Sequence, residues 1–122
     1  LLKKILIVED NEDNLDLMVQ LLEDCYALQI AADGIQAVES VRRDQPDLIL
    51  MDMALPLLNG WDVTRQIKSD PATQNIPVIG VSSHAMPEDE ERARLAGCDE
   101  YLTKPVDDVS LFQLIEKYLG KS

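Results

Sequence analysis

The chain is short of positive charge: 11 Lys and Arg stand against 23 Asp and Glu in 122 residues, a formal net charge of −12. Nucleic-acid binding needs clustered Lys and Arg to neutralise phosphates, and anionic membranes are held by polybasic segments. Neither partner is expected. Cysteine is scarce too; Cys25 and Cys98 have no metal-ligand spacing and read as reduced thiols of a cytoplasmic protein. No apolar run approaches the ~20 residues needed to span a bilayer, and no signal peptide is read ahead of the first apolar run. Neither G-x-G-x-x-G nor G-x-x-x-x-G-K-[ST] occurs, so dinucleotide and P-loop readings lack their phosphate donors. Internal repeats, low-complexity stretches and domain linkers are absent as well. With 46% hydrophobic residues the chain is no disordered tail. A single domain over 1–122 is expected, folding to a surface of roughly 6,600 Å².

What is present is a regular alternation of short apolar runs with helical patterns. Ile5 to Val8 is too short for a buried helix and ends abruptly at Glu9 and Asp10. Leu15, Met18, Val19, Leu22 and Cys25 then recur on one helical face, with Asn11 as N-cap and the acids Glu12 and Asp13 at the positive end of the helix dipole. Ala27 to Ala31 predicts a second strand, Asp33-Gly34 a turn, and Ile35 to Arg43 a helix with Ala37, Val38 and Val41 inward. Leu48 to Met51 is the most apolar run and stops at Asp52. A loop with Pro56 and Asn59-Gly60 leads to a helix carrying Trp61, Val63 and Ile67, and a polar linker follows from Asp70 to Pro77. Val78 to Val81 ends at Ser82-Ser83; a helix from Pro87 to Ala96 opens on acids and closes at Gly97. Tyr101 to Thr103 ends at Lys104-Pro105, and a last helix from Asp108 to Leu119 turns Leu111, Leu114, Ile115 and Tyr118 or Leu119 inward. Strands this apolar imply an α/β fold, a parallel sheet covered by helices on both faces.

In such a sheet ligands bind beyond the carboxyl ends of the strands, where the strand order reverses. The polar residues there are Glu9 and Asp10, Asp52, Ser82 and Lys104. If the order is 2-1-3-4-5, the reversal lies between strands one and three, and Asp10 and Asp52 flank one crevice. Carboxylates that converge repel by up to roughly 4 kcal/mol per pair at 4 Å and an effective dielectric near 20. Either their pKa values rise or a cation sits among them. Oxygen ligands with water access favour a hard divalent ion, most naturally Mg²⁺ shared with a phosphoryl group. An aspartate so placed is a competent phosphoryl acceptor, Lys104 can bind a phosphoryl oxygen, and Ser82 offers a hydroxyl donor.

In these residues the chain resembles the response-regulator receiver domains, also called CheY-like, over essentially its whole length. The motifs that carry the resemblance are Ile5-Leu6-Ile7-Val8-Glu9-Asp10-Asn11, then Asp47-Leu48-Ile49-Leu50-Met51-Asp52-Met53 with Pro56 and Gly60, then Ser82, then Tyr101-Leu102-Thr103-Lys104-Pro105. The resemblance implies a doubly wound five-stranded parallel sheet in the order 2-1-3-4-5. It implies that Asp52 is the phosphoacceptor, charged from a phosphohistidine on a sensor histidine kinase or a histidine phosphotransfer protein. Asp10 and Asp52 would hold Mg²⁺ with the backbone carbonyl of Ala54 and waters, and Glu9 would act through a metal-bound water. Lys104 would pair with the phosphoryl group and Ser82 would hydrogen-bond it. Tyr101 would turn inward with Ser82, and the face of the fourth helix, fifth strand and fifth helix would change its affinity for a downstream protein. Ala54 and His84 would tune the lifetime of the aspartyl phosphate.

Three positions depart from the family's commonest pattern: Glu9 where Asp is frequent, Ser82 where Thr is more frequent, and Ser83 where Ala or Gly is typical. Each key residue also has a plainer reading. A strand-end aspartate often only caps the next loop, two acids can simply precede a helix, and a loop lysine is ordinarily solvated. The convergence of Asp10, Asp52 and Lys104 is what singles them out. Ser82 could cap a turn and Tyr101 could merely pack. Cys25 reads as core and Cys98 as a small loop residue, and Leu55, Leu57, Leu58 and Trp61 as local packing or a modest contact patch. A haloacid-dehalogenase-like phosphatase would need a second Asp where Ala54 stands, and a flavodoxin-like nucleotide site would not place Glu9 to Asp13 against an anion. The expectation is a self-phosphorylating and self-dephosphorylating switch, a monomer or weak dimer, standing alone as a single-domain regulator. The alternatives are a receiver excised from a hybrid histidine kinase or multidomain regulator, or a phosphate-independent interaction module of the same fold.

Overall fold

The computed structural model describes residues 2–55, 57–83 and 86–120. Its elements run β1 (Lys4–Val8), α1 (Glu12–Leu22), β2 (Ala27–Ala31), α2 (Gly34–Asp44), β3 (Leu48–Asp52), α3 (Gly60–Ser69), β4 (Val78–Ser82), α4 (Pro87–Ala96), β5 (Glu100–Thr103) and α5 (Asp108–Leu119). The five strands form one sheet in the order β2-β1-β3-β4-β5, with every neighbouring pair parallel. The expected architecture is therefore observed.

Side chains alternate across a strand, and the alternation builds two cores. Leu6, Val8, Ile49, Met51 and Val78 face Ala37 and Val41 of α2, Val63 and Ile67 of α3 and Ala93 of α4. Ile5, Ile7, Leu48, Leu50 and Ile79 face Leu22 of α1 and Leu111 and Ile115 of α5. The accessible surface is 6649 Å², which matches the area expected for a compact chain of this mass.

Helix starts follow the sequence signals closely. The side chains of Asn11, Asp33, Asn59 and Asp107 each accept a backbone N–H in the first turn of α1, α2, α3 and α5. Asp33-Gly34 is accordingly no free turn but the cap and first residue of α2. Gly34 is required there by close approach, since a Cβ at this position would sit 2.0 Å from the Leu58 carbonyl oxygen. Gly97 ends α4 in the left-handed conformation at φ 111°. The Lys104-Pro105 peptide bond is cis.

The two cysteines stand close to where the sequence puts them. Cys25 lies beyond the end of α1 and is only partly buried against the second core. Cys98 is a small loop residue between α4 and β5, and it is buried in the first core, 3.9 Å from the Thr64 hydroxyl, where burial pushes its thiol up to about 11. A short residue that follows a helix-capping glycine packs inward because the chain must turn directly into β5. Among the described residues no helix is long and apolar enough to cross a membrane.

Candidate phosphoacceptor site

Strand register assembles the site. Val8 is paired with Met51, so the next residue on each strand, Glu9 and Asp52, emerge side by side. Asp52 is paired with Val81, and Ser82 with Thr103, which precedes Lys104. The backbone carries the ladder past the strand ends through Met53 N–H to Val81 O at 3.0 Å and Lys104 N–H to Ser82 O at 2.7 Å. Alternation places Glu9, Asp52 and Lys104 in phase with Ile7, Leu50 and Leu102, on the α1/α5 side. Ser82 is in phase with Gly80, which is paired with Tyr101, and Tyr101 packs on the opposite core beside α3 and α4.

The three acids of the sequence analysis do converge. One carboxylate oxygen from each of Glu9, Asp10 and Asp52 lies within 4.8 Å of the others. Asp52 and Glu9 are buried, each only 6% exposed, whereas Asp10 is open to solvent. Lys104 Nζ donates to Glu9 Oε1 at 2.9 Å and stands 3.4 Å from Asp52 Oδ2. The second Glu9 oxygen accepts the Asn11 N–H at 3.4 Å, and Asp52 Oδ1 accepts the Ala54 N–H at 3.1 Å.

The electrostatics follow from these contacts. Burial pushes the Asp52 carboxyl up to about 7, helped by its hydrogen bond to Glu9 and by the Glu9 charge, while the Ala54 N–H and Lys104 pull it down. For Glu9 burial also acts upward, but hydrogen bonds with Asp52 and Lys104 and the charge of Lys104 outweigh it, so its carboxyl lies below the usual range. Lys104 is held above its ordinary value: burial opposes the charge, yet Glu9 and Asp52 prevail. One lysine compensates one carboxylate, and the second is left with a raised affinity for a proton. The donor set, oxygen-only with an open side at Asp10, fits a hard divalent cation, and the upward shift of Asp52 marks the place where positive charge is lacking.

Ser82 is 2% exposed at the end of β4, and Tyr101 is half-buried. Ala54 is exposed beside Asp52. His84, expected to tune lifetime, lies outside the described residues, as does Pro56. The pairing of Glu9 with Lys104 was not among the sequence expectations, which gave Lys104 to a phosphoryl group. The signal was present in the imbalance of three acids against one lysine. Glu9 and Lys104 also line a neighbouring groove of about 80 Å³, together with Leu17, Met18, Pro105 and Val106.

A doubly wound sheet with an acidic crevice and a lysine at its switch point belongs to the class of α/β proteins that carry their ligand site at the carboxyl edge of the sheet. The comparisons with known proteins give the family. The response regulator receiver domain model matches residues 5–116. The polar-differentiation response regulator DivK of Brucella anthropi is 42% identical over 119 residues, 97% of each chain, and DivK of Brucella melitensis matches equally. The receiver domain of a Pseudomonas aeruginosa sensor histidine kinase, with magnesium ion coordinated in the active site cleft, superposes with a TM-score of 0.91 at 35% identity, covering 99% of this chain and 100% of that one. The phosphorylated cyanobacterial phytochrome response regulator RcpA superposes at 0.86 with 31% identity, covering 98% and 95%. The chain belongs to the response regulator receiver domains of two-component signalling.

Proposed function

We propose that the chain, as one domain over 1–122, accepts a phosphoryl group on Asp52 from a phosphohistidine of a sensor histidine kinase or histidine phosphotransfer protein. An Asp52 carboxylate oxygen attacks phosphorus; the P–O bond forms as the P–N bond breaks, and its electron pair leaves on the imidazole nitrogen. Lys104, already between Glu9 and Asp52, exchanges part of that contact for a phosphoryl oxygen, and Ser82 donates its hydroxyl to another. Asp10 and Asp52, the Ala54 carbonyl, and Glu9 through water are the groups that would hold Mg²⁺. When bound, Mg²⁺ supplies the positive charge that keeps Asp52 ionised and offsets the phosphoryl oxygens. The observation that carries the reading is the Glu9, Asp10 and Asp52 cluster with Lys104 as its one cation among the described residues.

Output follows from the two-sided placement of the switch residues. Ser82 meets the phosphoryl group and Tyr101 lies on the adjacent strand against the core shared with α4, so rearrangement of the pair alters the face of α4, β5 and α5. That face meets a downstream protein, and Ala54 and His84 set how long the signal lasts. The likeness to the response regulator DivK favours a regulator over a kinase-borne receiver, the acid excess speaks against nucleic-acid and anionic-membrane partners, and a stand-alone cytoplasmic monomer or weak dimer completes the reading.

The test is incubation with Mg²⁺ and acetyl phosphate, read by intact mass, beside Asp52→Asn. Wild-type protein should gain one phosphoryl group and the variant none. Equal labelling of both removes Asp52 from its role. Labelling of neither, with a protein partner still bound, establishes a phosphate-independent module.

A further inference from the structure

The two edges of the sheet are protected to different degrees. At one edge, β5 begins at Glu100, whose carboxylate accepts from Lys117 and Tyr118 of α5 at 2.7 Å each, and Lys104 and Pro105 follow it directly. Charge and proline of this kind keep an edge strand from pairing with another chain. The opposite edge, β2, reads Ala-Leu-Gln-Ile-Ala, without charge or proline. It pairs with β1 in unbroken register, so no bulge turns it away. The Ala27 N–H donates to the Lys3 carbonyl at 2.9 Å, and the Ala31 carbonyl accepts the Glu9 N–H at 3.0 Å. Backbone groups alternate along a parallel strand, hence the N–H and C=O groups of Leu28 and Ile30 point out of the sheet. At Ala32 the outward N–H is already taken by the Gln36 side chain at 3.0 Å, so the open stretch centres on Leu28 and Ile30. Ile30 is 52% exposed.

Helix α1 gives this edge its charge. Leu28 and Ile30 are paired with Ile5 and Ile7, on the sheet face that α1 and α5 cover. The flank of α1 with Asn14, Leu17 and Met18 shares a groove with Pro105 and Val106, towards α5. With 3.6 residues per turn, Glu12, Asp16, Val19 and Glu23 fall on the opposite flank, the one that overlooks β2. Val19 joins Leu28 in the second core, while the three acids are exposed.

We propose that β2 is a docking edge for an extended segment of another protein, which adds to the sheet as a further strand and carries apolar and basic residues on its α1 side. Leu28 and Ile30 supply it with two N–H donors and two C=O acceptors, and their side chains pack on its apolar positions. Its Lys or Arg side chains lay their stems along Ile30 while their heads reach Glu12, Asp16 and Glu23. This goes beyond the phosphoacceptor reading and does not rest on it. A second copy of the chain does not suit the edge. Pairing β2 with β2 about a twofold axis sets the acid flanks of both α1 helices side by side on one face, like charge against like. A strand with basic residues brings the complementary charge.

The probe is a short capped peptide with Lys, Val and Lys at alternate positions and Thr between them, added at millimolar concentration and low salt. The control peptide carries Glu in place of Lys. Amide hydrogen exchange of the protein is followed residue by residue. The Lys peptide should slow exchange at Leu28 and Ile30 at least fivefold and leave Gln29, already bonded to β1, unchanged. Ile30→Lys puts a charge of the partner's own sign on the edge and should abolish this protection. Asp16→Lys, on the exposed flank of α1, should weaken binding at least fivefold, and it decides the matter should Ile30→Lys fail to fold. Added salt should weaken binding of the Lys peptide to the wild type as well. The proposal is overturned if the Lys peptide leaves Leu28 and Ile30 unprotected, if the Glu peptide protects them equally, or if Asp16→Lys binds as the wild type does. A wild-type dimer that Ile30→Lys dissolves in sedimentation also overturns it, by making a second copy the occupant.

Discussion

Asp52 and Glu9 are buried side by side with one lysine for two carboxylates, and the imbalance has a pH signature. In the unfolded chain the Asp52 carboxyl ionises near its ordinary 3.8; in the metal-free fold burial and Glu9 hold it to about 7. The folded state then binds a proton that the unfolded state has released, so the stability tied to Asp52 is whole at acid pH and is lost as pH rises through about 7. Glu9, held below its ordinary 4.5, works in the opposite direction: it stabilises above that value and loses its contribution as pH falls. Between about pH 5 and pH 7 the Asp52 effect remains. Urea unfolding of the metal-free protein should give a midpoint that falls across this interval. Asp52→Asn should flatten the fall, since an amide keeps the shape without the titration. Parallel curves for the two proteins would show that the buried pair does not share its proton as described.

At the scale of the element, strands and helices are legible because each burial demand leaves a periodic mark. The runs Ile5–Val8 and Leu48–Met51 are buried on both faces and so show no polar interruption. Four of the caps are Asn or Asp at the positions where orphan N–H groups require an acceptor. The convergence of Glu9, Asp10, Asp52 and Lys104 was legible too, because polar residues at the ends of such strands have few structural reasons to be there. What the sequence did not disclose are contacts between elements distant along the chain. These include Lys104 on Glu9, Arg92 stacked 3.9 Å over the Trp61 ring, Cys98 under α3, and α2 pressed on the β3–α3 loop at Gly34. No local period encodes which helix turn meets which loop. Gly34 makes this testable. At the first position of a helix alanine is ordinarily the better residue, by up to about 1 kcal/mol, yet a Cβ here collides with the Leu58 carbonyl and its neighbours. Gly34→Ala should therefore destabilise, by about 1–3 kcal/mol as other overpacked substitutions do, read as a lower urea midpoint at unchanged slope. A neutral or stabilised variant would mean that the loop yields freely at Leu58.

At the scale of the whole molecule the doubly wound topology turns a local helix preference into a global polarity. Each helix of this chain begins where a strand ends, so all helix starts share the edge of the sheet that carries the site. Acids gather in those first turns, with Glu12 and Asp13 in α1, Asp62 in α3, Glu88, Asp89 and Glu90 in α4 and Asp108 in α5. Bases gather in the last turns, at Arg42 and Arg43, Lys68, Arg94 and Lys117. Each placement suits its own helix dipole, and together they surround Glu9, Asp10 and Asp52 with further negative charge. Cations are drawn to that edge by the field of the molecule as well as by the three carboxylates. The two contributions separate by experiment. The diffuse field is screened by any salt, whereas a ligand set saturates and is selective. At fixed ionic strength, Mg²⁺ should raise the melting temperature along a saturable curve, adding about 2.7 kcal/mol when its concentration reaches a hundred times the dissociation constant. Substituting Na⁺ at equal ionic strength should reproduce little of the rise. Asp10→Ala should abolish the saturable part, because Asp10 is the acid on the solvent side of the cluster. A rise that is linear in Mg²⁺, or equal in Asp10→Ala, would assign the effect to the acidic edge at large.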